Sequence, residues 1–289
     1  MAWVNAILQG ILIGGFYALF ACGLSLLFGV MGIINLAHGD LAVIAAFAAV
    51  TLAPATHLPV VWIFVLVVPL FAIGGYVLQR TLLQASLDRS PFTTLLVTFG
   101  LSVVAENVLL EVFTSNGQSL NIGTLIADSF NPTTTISVSY FSLVVLAVAV
   151  VVLGALHLFL NRTSTGRMIR AVADDREAAQ LSGANYRHLF GIAAAIAFAT
   201  VALAGLAYGM YTEFSFGSGT ANLLFAFEAV VIGGMGSLWG TLVGGIVLGV
   251  AQQIGGQINP AWQVLAGHLV FLAVLAVRPR GLFGVRAAA

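Results

Sequence analysis

The chain has 289 residues, of which 60% are apolar and only 7% are charged, and its ten arginines balance ten acidic residues. A soluble domain carries about 25% charged residues, so this composition excludes a protein with a water-facing surface on all sides. The formal net charge of zero provides no field for nucleic acid, and a lone cysteine, Cys22, excludes a disulfide framework and a cysteine-based metal site.

Nine apolar runs follow one another along the chain, and most have the ~20 residues that cross a bilayer core as a helix. They lack the alternation of barrel strands, and helices satisfy their own backbone in lipid. The first run has no basic leader and no small-residue cleavage site, which predicts a retained span. We therefore expect an all-α membrane protein, a polytopic bundle of 8–9 transmembrane helices in a single domain, 1–289. The runs are 6–28, 33–53, 58–79, 92–113, 138–160, 189–211, 222–237, 240–258 and 261–277.

Arginines occur in only three segments, and such segments are typically cytoplasmic. An even number of spans must then separate the second segment from the tail, so the short run 222–237 must also cross, as a thin or broken helix. The amino terminus is outside with nine spans if 33–53 crosses fully, and there are eight spans if 33–53 re-enters. Residues 114–137 form an external loop, which is either a surface for an external partner or idle. The three groups are Arg80 and Arg89; Arg162, Arg167, Arg170, Arg176 and Arg187; and Arg278, Arg280 and Arg286.

Polar side chains cluster where glycines interrupt the second apolar run. Asn35, His38 and Asp40 lie together there, and such residues at membrane depth face a pathway, a cavity or a partner helix. A substrate pathway and an interhelical hydrogen-bond clasp both remain open. Glu106, in the middle of run 92–113, is a pathway candidate or a structural acid. The predicted helix breaks here are Gly29, Gly32 and Gly39.

A second glycine-rich segment contains Gly233, Gly234 and Gly236, which we also predict to break a helix. A matched pair of interrupted segments, one in each half of the chain, points to a transporter built from repeats. Glu228 is expected at a membrane interface and His268 in an interhelical clasp. The histidines are far apart, so no metal site is predicted.

The segment 161–188 holds the densest charge in the chain and predicts two short helices. Thr165 could cap the first, which would extend through Ala173. Asp174 and Glu177 match a capping box for the second, which would end at Leu181 or Ser182. Gly183 is then placed for a left-handed conformation just past that end.

The string Glu177-Ala178-Ala179-Gln180-Leu181-Ser182-Gly183 resembles the E-A-A-x-x-x-G loop of ABC importer permeases. In that superfamily the loop forms a helix that docks into the ATPase subunit, so we name residues 161–188 the coupling segment. A merely solvated, well-capped loop is the alternative. The residues that we assign to ATPase coupling are Arg167, Arg170, Asp174, Glu177, Ala178, Ala179 and Gly183.

A second resemblance covers the whole chain in order and is to the LivH-type permeases of branched-chain amino acid importers. The strings Asn35-Leu36-Ala37-His38-Gly39, Gly233-Gly234-Met235-Gly236-Ser237 and Arg278-Pro279-Arg280-Gly281-Leu282-Phe283-Gly284 are similar to that family. Glu106 departs from it, because the family often has glutamine there.

The resemblance implies a permease subunit, not an enzyme, in a bacterial inner membrane with its carboxy terminus in the cytoplasm. The implied partners are a second homologous permease, two ATPase subunits and an external substrate-binding protein. The chain has no phosphate-binding glycine loop, so ATP would bind the partner subunits and no cofactor is expected here. Urea, short amides or a monosaccharide are alternative cargoes, and a stand-alone secondary transporter is a less favoured alternative.

Overall fold

A computed structural model describes residues 1–56, 59–120, 129–133 and 136–284 of the chain. The described part is almost entirely helical, as predicted. Eight helices are long and apolar enough to cross a membrane, and a ninth, α10, is shorter. The helices are α1 (Ala2–Met31), α2 (His38–Thr56), α3 (Val60–Leu78), α4 (Gln84–Leu87), α5 (Pro91–Phe113), α6 (Tyr140–Arg162), α7 (Ser164–Asp174), α8 (Arg176–Leu181), α9 (Tyr186–Tyr211), α10 (Ser218–Gly233), α11 (Leu238–Ile258) and α12 (Gln263–Val277).

Short elements connect some of these helices. A π-helical turn, Gln79–Leu83, joins α3 to α4, and a 3-10 turn, Pro260–Trp262, precedes α12. Strands β1 (Ser129–Thr133) and β2 (Ile136–Ser139) form an antiparallel hairpin before α6. The predicted external loop 114–137 contains β1 and the first half of β2. Residues 121–128 and 134–135 of this loop lie outside the described residues.

The centre of the bundle is the seam between α1 and α11. A side chain on Gly10 would overlap the backbone of Val250, and one on Gly14 would overlap the backbone of Ile246. Small residues at such a seam let two helix backbones approach closely. The resulting van der Waals packing stabilises the helix pair, because the hydrophobic effect does not drive helices together in lipid. Helices α9 and α10 complete the core, whereas α5 and α12 leave most of their surface exposed.

The two ends of the bundle differ in chemistry. At the hairpin end, Gln9 and Asn5 of α1 bond to the backbone of Ser137 in β2. At the opposite end, which we call the charged end, Asp88 pairs with Arg176 and the backbone amide of Leu282 bonds to Ile232. All three arginine-bearing segments thus lie at the charged end, although Arg286 is outside the described residues.

The contacts at each end trace the path of the chain through the bundle. The amino terminus of α1 lies at the hairpin end, and residues 32–37 turn back into the bundle before α2 starts. The segment 212–217 does the same from the hairpin end before α10 starts, as its bond between Phe214 and Gln118 shows. Nine segments of the described chain therefore connect the two ends, and two of them consist of a re-entrant stretch followed by α2 or α10. Run 222–237 corresponds to the short α10, which starts inside the bundle, so its crossing of the membrane stays a prediction.

Candidate coupling segment and transmembrane pathway

Helix α7 begins the coupling segment and packs on the bundle by one face. Ile169 and Val172 are buried in the core next to α9, and the opposite face is exposed. Thr163 caps the helix, because its hydroxyl oxygen accepts from the amide of Gly166 at 2.9 Å. The prediction that Thr165 is the cap is wrong, since Thr165 already lies inside the first turn.

Helix α8 is capped by Asp175. Its Oδ1 atom accepts from the amides of Glu177 and Ala178, each at 3.0 Å. The predicted capping box of Asp174 and Glu177 is therefore wrong by one residue: Asp174 completes α7, and the extended backbone of Asp175 separates the helices. The third helical position is then Ala178, whose methyl group cannot return a hydrogen bond.

The end of α8 is a complete Schellman motif. The amide of Gly183 bonds to Gln180, and the amide of Ala184 bonds to Ala179. Gly183 has φ +86°, in the left-handed region that the sequence predicted. The motif fixes where the chain leaves α8 for α9.

The outer surface of the coupling segment is exposed and uneven. Leu181 is 91% exposed at the tip of α8. Beside it, α7 and α8 enclose a concavity of about 340 Å³ that is lined mainly by small or apolar side chains, including Met168 and Ala178. Ala179 instead packs inward, and Glu177 is exposed. An exposed leucine beside a concavity lined by small residues is an apolar surface to which a partner protein can bind.

Asp88 ties the coupling segment to the first half of the chain. Its carboxylate accepts from Arg176 at 2.7 Å and from Arg187 at 3.2 Å. The guanidinium of Arg176 also lies 3.7 Å from the ring centre of Tyr186. Desolvation acts in the opposite direction, but the bonds from Arg176 and Gln84 and the two arginine charges hold the pKa of Asp88 below its ordinary value. Sequence reasoning missed this group because Asp88 is 88 positions from Arg176.

The other assigned arginines bond within the coupling segment. Arg167 donates to the carbonyl of Arg162 at 3.0 Å, and Arg170 donates to Asn161 at 2.7 Å. Arg170 and Asp174 also line a second concavity, of about 550 Å³, together with Gly29 and Gly236. The coupling segment thus adjoins both glycine-rich segments at the charged end.

The glycines predicted to break helices fall into two groups. Gly32, with φ +66°, ends α1, and Gly234 and Gly236 adopt positive φ between α10 and α11. Gly29 lies in the last turn of α1, Gly39 is the second residue of α2 and Gly233 is the last residue of α10, so these three glycines border the breaks. Gly39 and Gly233 are also sites where a Cβ would overlap the backbone of a neighbouring helix.

The predicted pathway residues in the first break are fully buried. Asn35 bonds through its side-chain oxygen to the amide of Ala37, a local turn that competes with helix and delays the start of α2. The His38 ring bonds to the carbonyl of Phe20 at 2.9 Å. Asp40 accepts from Ser102 of α5 at 2.5 Å.

Glu106 lies one helical turn beyond Ser102 on α5. Its carboxylate accepts from the hydroxyl of Thr220, in the first turn of α10, at 2.8 Å. Both residues keep part of their surface exposed. The structure therefore brings Asp40 and Glu106 together around the start of α10, whereas the His38 ring bonds to α1 and the Asn35 side chain bonds within its own turn.

A second polar cluster joins α1, α10, α11 and α12. Glu228 is buried inside the bundle and lies 2.5 Å from the ring nitrogen of His268, so the predicted clasp of His268 has Glu228 as its partner. The predicted position of Glu228 at a membrane interface concerns depth in the bilayer and stays a prediction. The hydroxyl of Tyr17 donates to Gln252 nearby. No signal in the sequence indicated this cluster, because its members come from four different helices. Within the described residues, no three histidine, cysteine or acidic side chains come together as a metal site would require.

The sequence profile of one family matches residues 6–275, and its description is "Branched-chain amino acid transport system / permease component". The chain belongs to this family. The long apolar helices described above are thus those of a transport permease.

Curated relatives extend over nearly the whole permease. It is 28% identical to the high-affinity branched-chain amino acid transport system permease protein BraD of Pseudomonas aeruginosa, over 98% of this chain and 96% of that one. It is 25% identical to the corresponding LivH protein of Escherichia coli K12, with the same coverage. A fructose import permease protein, FrcC of Rhizobium meliloti, is 32% identical over 70% of this chain and 58% of its own.

A solved structure shares the fold of the permease. The match is to PsaBC from Streptococcus pneumoniae in complex with Fab, with a TM-score of 0.50, 14% identity and coverage of 97% of this chain and 93% of that one. At this identity the likeness concerns the fold alone.

Proposed function

We propose that the chain is the permease subunit of an ATP-driven ABC importer that carries branched-chain or closely related amino acids inward. The observation that carries this proposal is the end-to-end similarity to branched-chain amino acid permeases. The low content of fixed charge in the spans agrees with a zwitterionic cargo that has an apolar side chain.

Coupling to ATP would occur at α8. It exposes Leu181 at its tip and Ala178 in its middle, and both of its ends are fixed, by Asp175 and by the Gly183 motif. Movement of α8 would pull on Asp88 through Arg176. Asp88 lies two residues before Ser90, the cap of α5, so the displacement would reach the helix that carries Glu106.

The assembly proposed here contains a second homologous permease, two ATPases at the charged end and a substrate-binding protein at the hairpin end, in a bacterial inner membrane. The charged end is cytoplasmic, because arginine-bearing loops are retained on that side. The carboxy terminus then lies in the cytoplasm, and the amino terminus lies outside. The chain supplies two alternating states and needs no catalytic residue of its own.

Reconstitution of the complete importer in proteoliposomes tests this proposal. We expect ATP-dependent uptake of labelled leucine, isoleucine or valine, and a mixture that lacks the ATPases serves as the control. A monosaccharide is the second candidate cargo, because a fructose permease is among the relatives. If the importer takes up fructose and does not transport any amino acid or amide, the proposed amino acid cargo is wrong and a monosaccharide is the cargo.

A further inference from the structure

The amino termini of α2 and α10 meet inside the bundle. The two chain segments enter from opposite ends, and the backbones of Gly39 and Gly219 touch, so that a methyl group on Gly39 would overlap the Gly219 carbonyl. Each helix amino terminus carries about half a positive charge from its aligned peptide dipoles. No side chain caps α10, so this junction favours a bound anionic group.

One carboxylate at the junction is incompletely bonded. Asp40 is 1% exposed, and its Oδ2 atom accepts from Ser102. Its Oδ1 atom lies against Gly219 and has no hydrogen-bond partner among the described residues. Such a buried acceptor is costly unless a donor reaches it in another state or from a ligand.

A second carboxylate stands at the accessible side of the same junction. Glu106 is partly exposed and accepts from Thr220 in the first turn of α10. Helix α5, which supplies both Ser102 and Glu106, has most of its surface outside the core. It can therefore move away from α2 and α10 at a small loss of packing, and Asp40 would then be uncovered.

We propose that this junction, formed by Asp40, Ser102, Glu106 and Thr220, is where the permease recognises the charged backbone of its amino acid cargo. The ammonium group donates first to Glu106 and then to the free oxygen of Asp40. The carboxylate lies at the amino-terminal turns of α2 and α10, whose dipoles oppose its charge. The side chain stays among apolar residues. This inference rests on the proposed function and deepens it.

Conservative replacements of the two acids test the inference in the complete reconstituted importer. Asp40→Asn and Glu106→Gln should each lower leucine uptake by roughly ten- to a hundredfold, as expected when a bond to a charged group is lost. The matched control is Glu111→Gln, an exposed acid on the same helix away from the junction, which should import leucine normally.

A thiol probe tests the site without removing either acid. Val103, exposed on α5 between Ser102 and Glu106, is changed to cysteine, and Gly100→Cys serves as the control. Saturating leucine, delivered by the binding protein, should protect position 103 from a maleimide and leave position 100 reactive.

The two proposals fail in different ways. If the wild-type importer carries leucine, but both acid variants match it or position 103 is not protected, the junction is not the recognition site and the proposed function stands. If the wild-type importer carries no amino acid, the proposed function fails and the junction inference fails with it.

Discussion

Replacing Gly183 tests whether the exit from α8 transmits force. The residue adopts φ +86°, and a Cβ built there has no heavy atom within 4 Å. A larger side chain therefore meets no clash, and its whole effect comes from backbone strain. A left-handed backbone costs an ordinary residue about 1–2 kcal/mol, and valine lies at the upper end because its branched Cβ is the most restricted.

That strain is concentrated in one short element. Loss of the bonds from Gly183 to Gln180 and from Ala184 to Ala179 would fray α8 at the tip that bears Leu181. A penalty of about 1–2 kcal/mol lowers the population of the ordered exit by roughly 5- to 30-fold relative to its frayed form. The protein should still insert, because the spans are untouched.

The assay is the ratio of leucine imported to ATP hydrolysed by the reconstituted complex. Asparagine tolerates the left-handed region best among ordinary residues, so Gly183→Asn should retain most of the ratio. Gly183→Ala should be intermediate, and Gly183→Val should be lowest. A wild-type ratio for the valine variant would refute the reasoning. Equal losses for asparagine and valine would instead assign the effect to the added side chain and not to the backbone.

Three further predictions concern the ends of the bundle and its centre. On a cysteine-free background, Phe283→Cys should react only with thiol reagents that reach the cytoplasm, and Ser119→Cys should react with reagents added outside, because the two residues lie at opposite ends of the bundle. Labelling of both cysteines from the same side would contradict the arrangement of nine segments. Asp88→Asn should lower the free energy of unfolding by about 0.5–1 kcal/mol, since exposed ion pairs contribute little. Because the pKa of Asp88 is lowered, this contribution is present above its unfolded value of about 4 and disappears as the pH falls through the folded value, so melting curves of wild type and variant should converge in acid. Gly39→Ala should lower the free energy of unfolding by about 1–3 kcal/mol or more, because the added methyl group overpacks the contact between α2 and α10. Gly74→Ala is the control and should not lower it, because Gly74 faces open space. Equal melting temperatures for the two variants would show that α2 and α10 do not meet at Gly39.

The sequence by itself determined the class of the protein and its helices. Apolar runs of span length, separated by polar loops, leave the backbone no alternative to helix in lipid, so each run coincides with a helix to within a few residues except where local bonding intervenes. The run 33–53 shows the exception, because the turn at Asn35 delays α2 until His38. Gly183 was also predictable, since a helix that ends on glycine commonly does so in a left-handed conformation.

Only the tertiary structure decided which polar groups meet. Capping depends on the residue that adopts an extended backbone, and a run of two aspartates left the choice between Asp174 and Asp175 open until φ was known. The pairs of Asp88 with Arg176 and of Glu228 with His268 join residues 88 and 40 positions apart. Such contacts between distant residues cannot be predicted from the local periodicity of the sequence. They arise because helices bury their polar side chains against whichever neighbour the packing of small residues brings within reach.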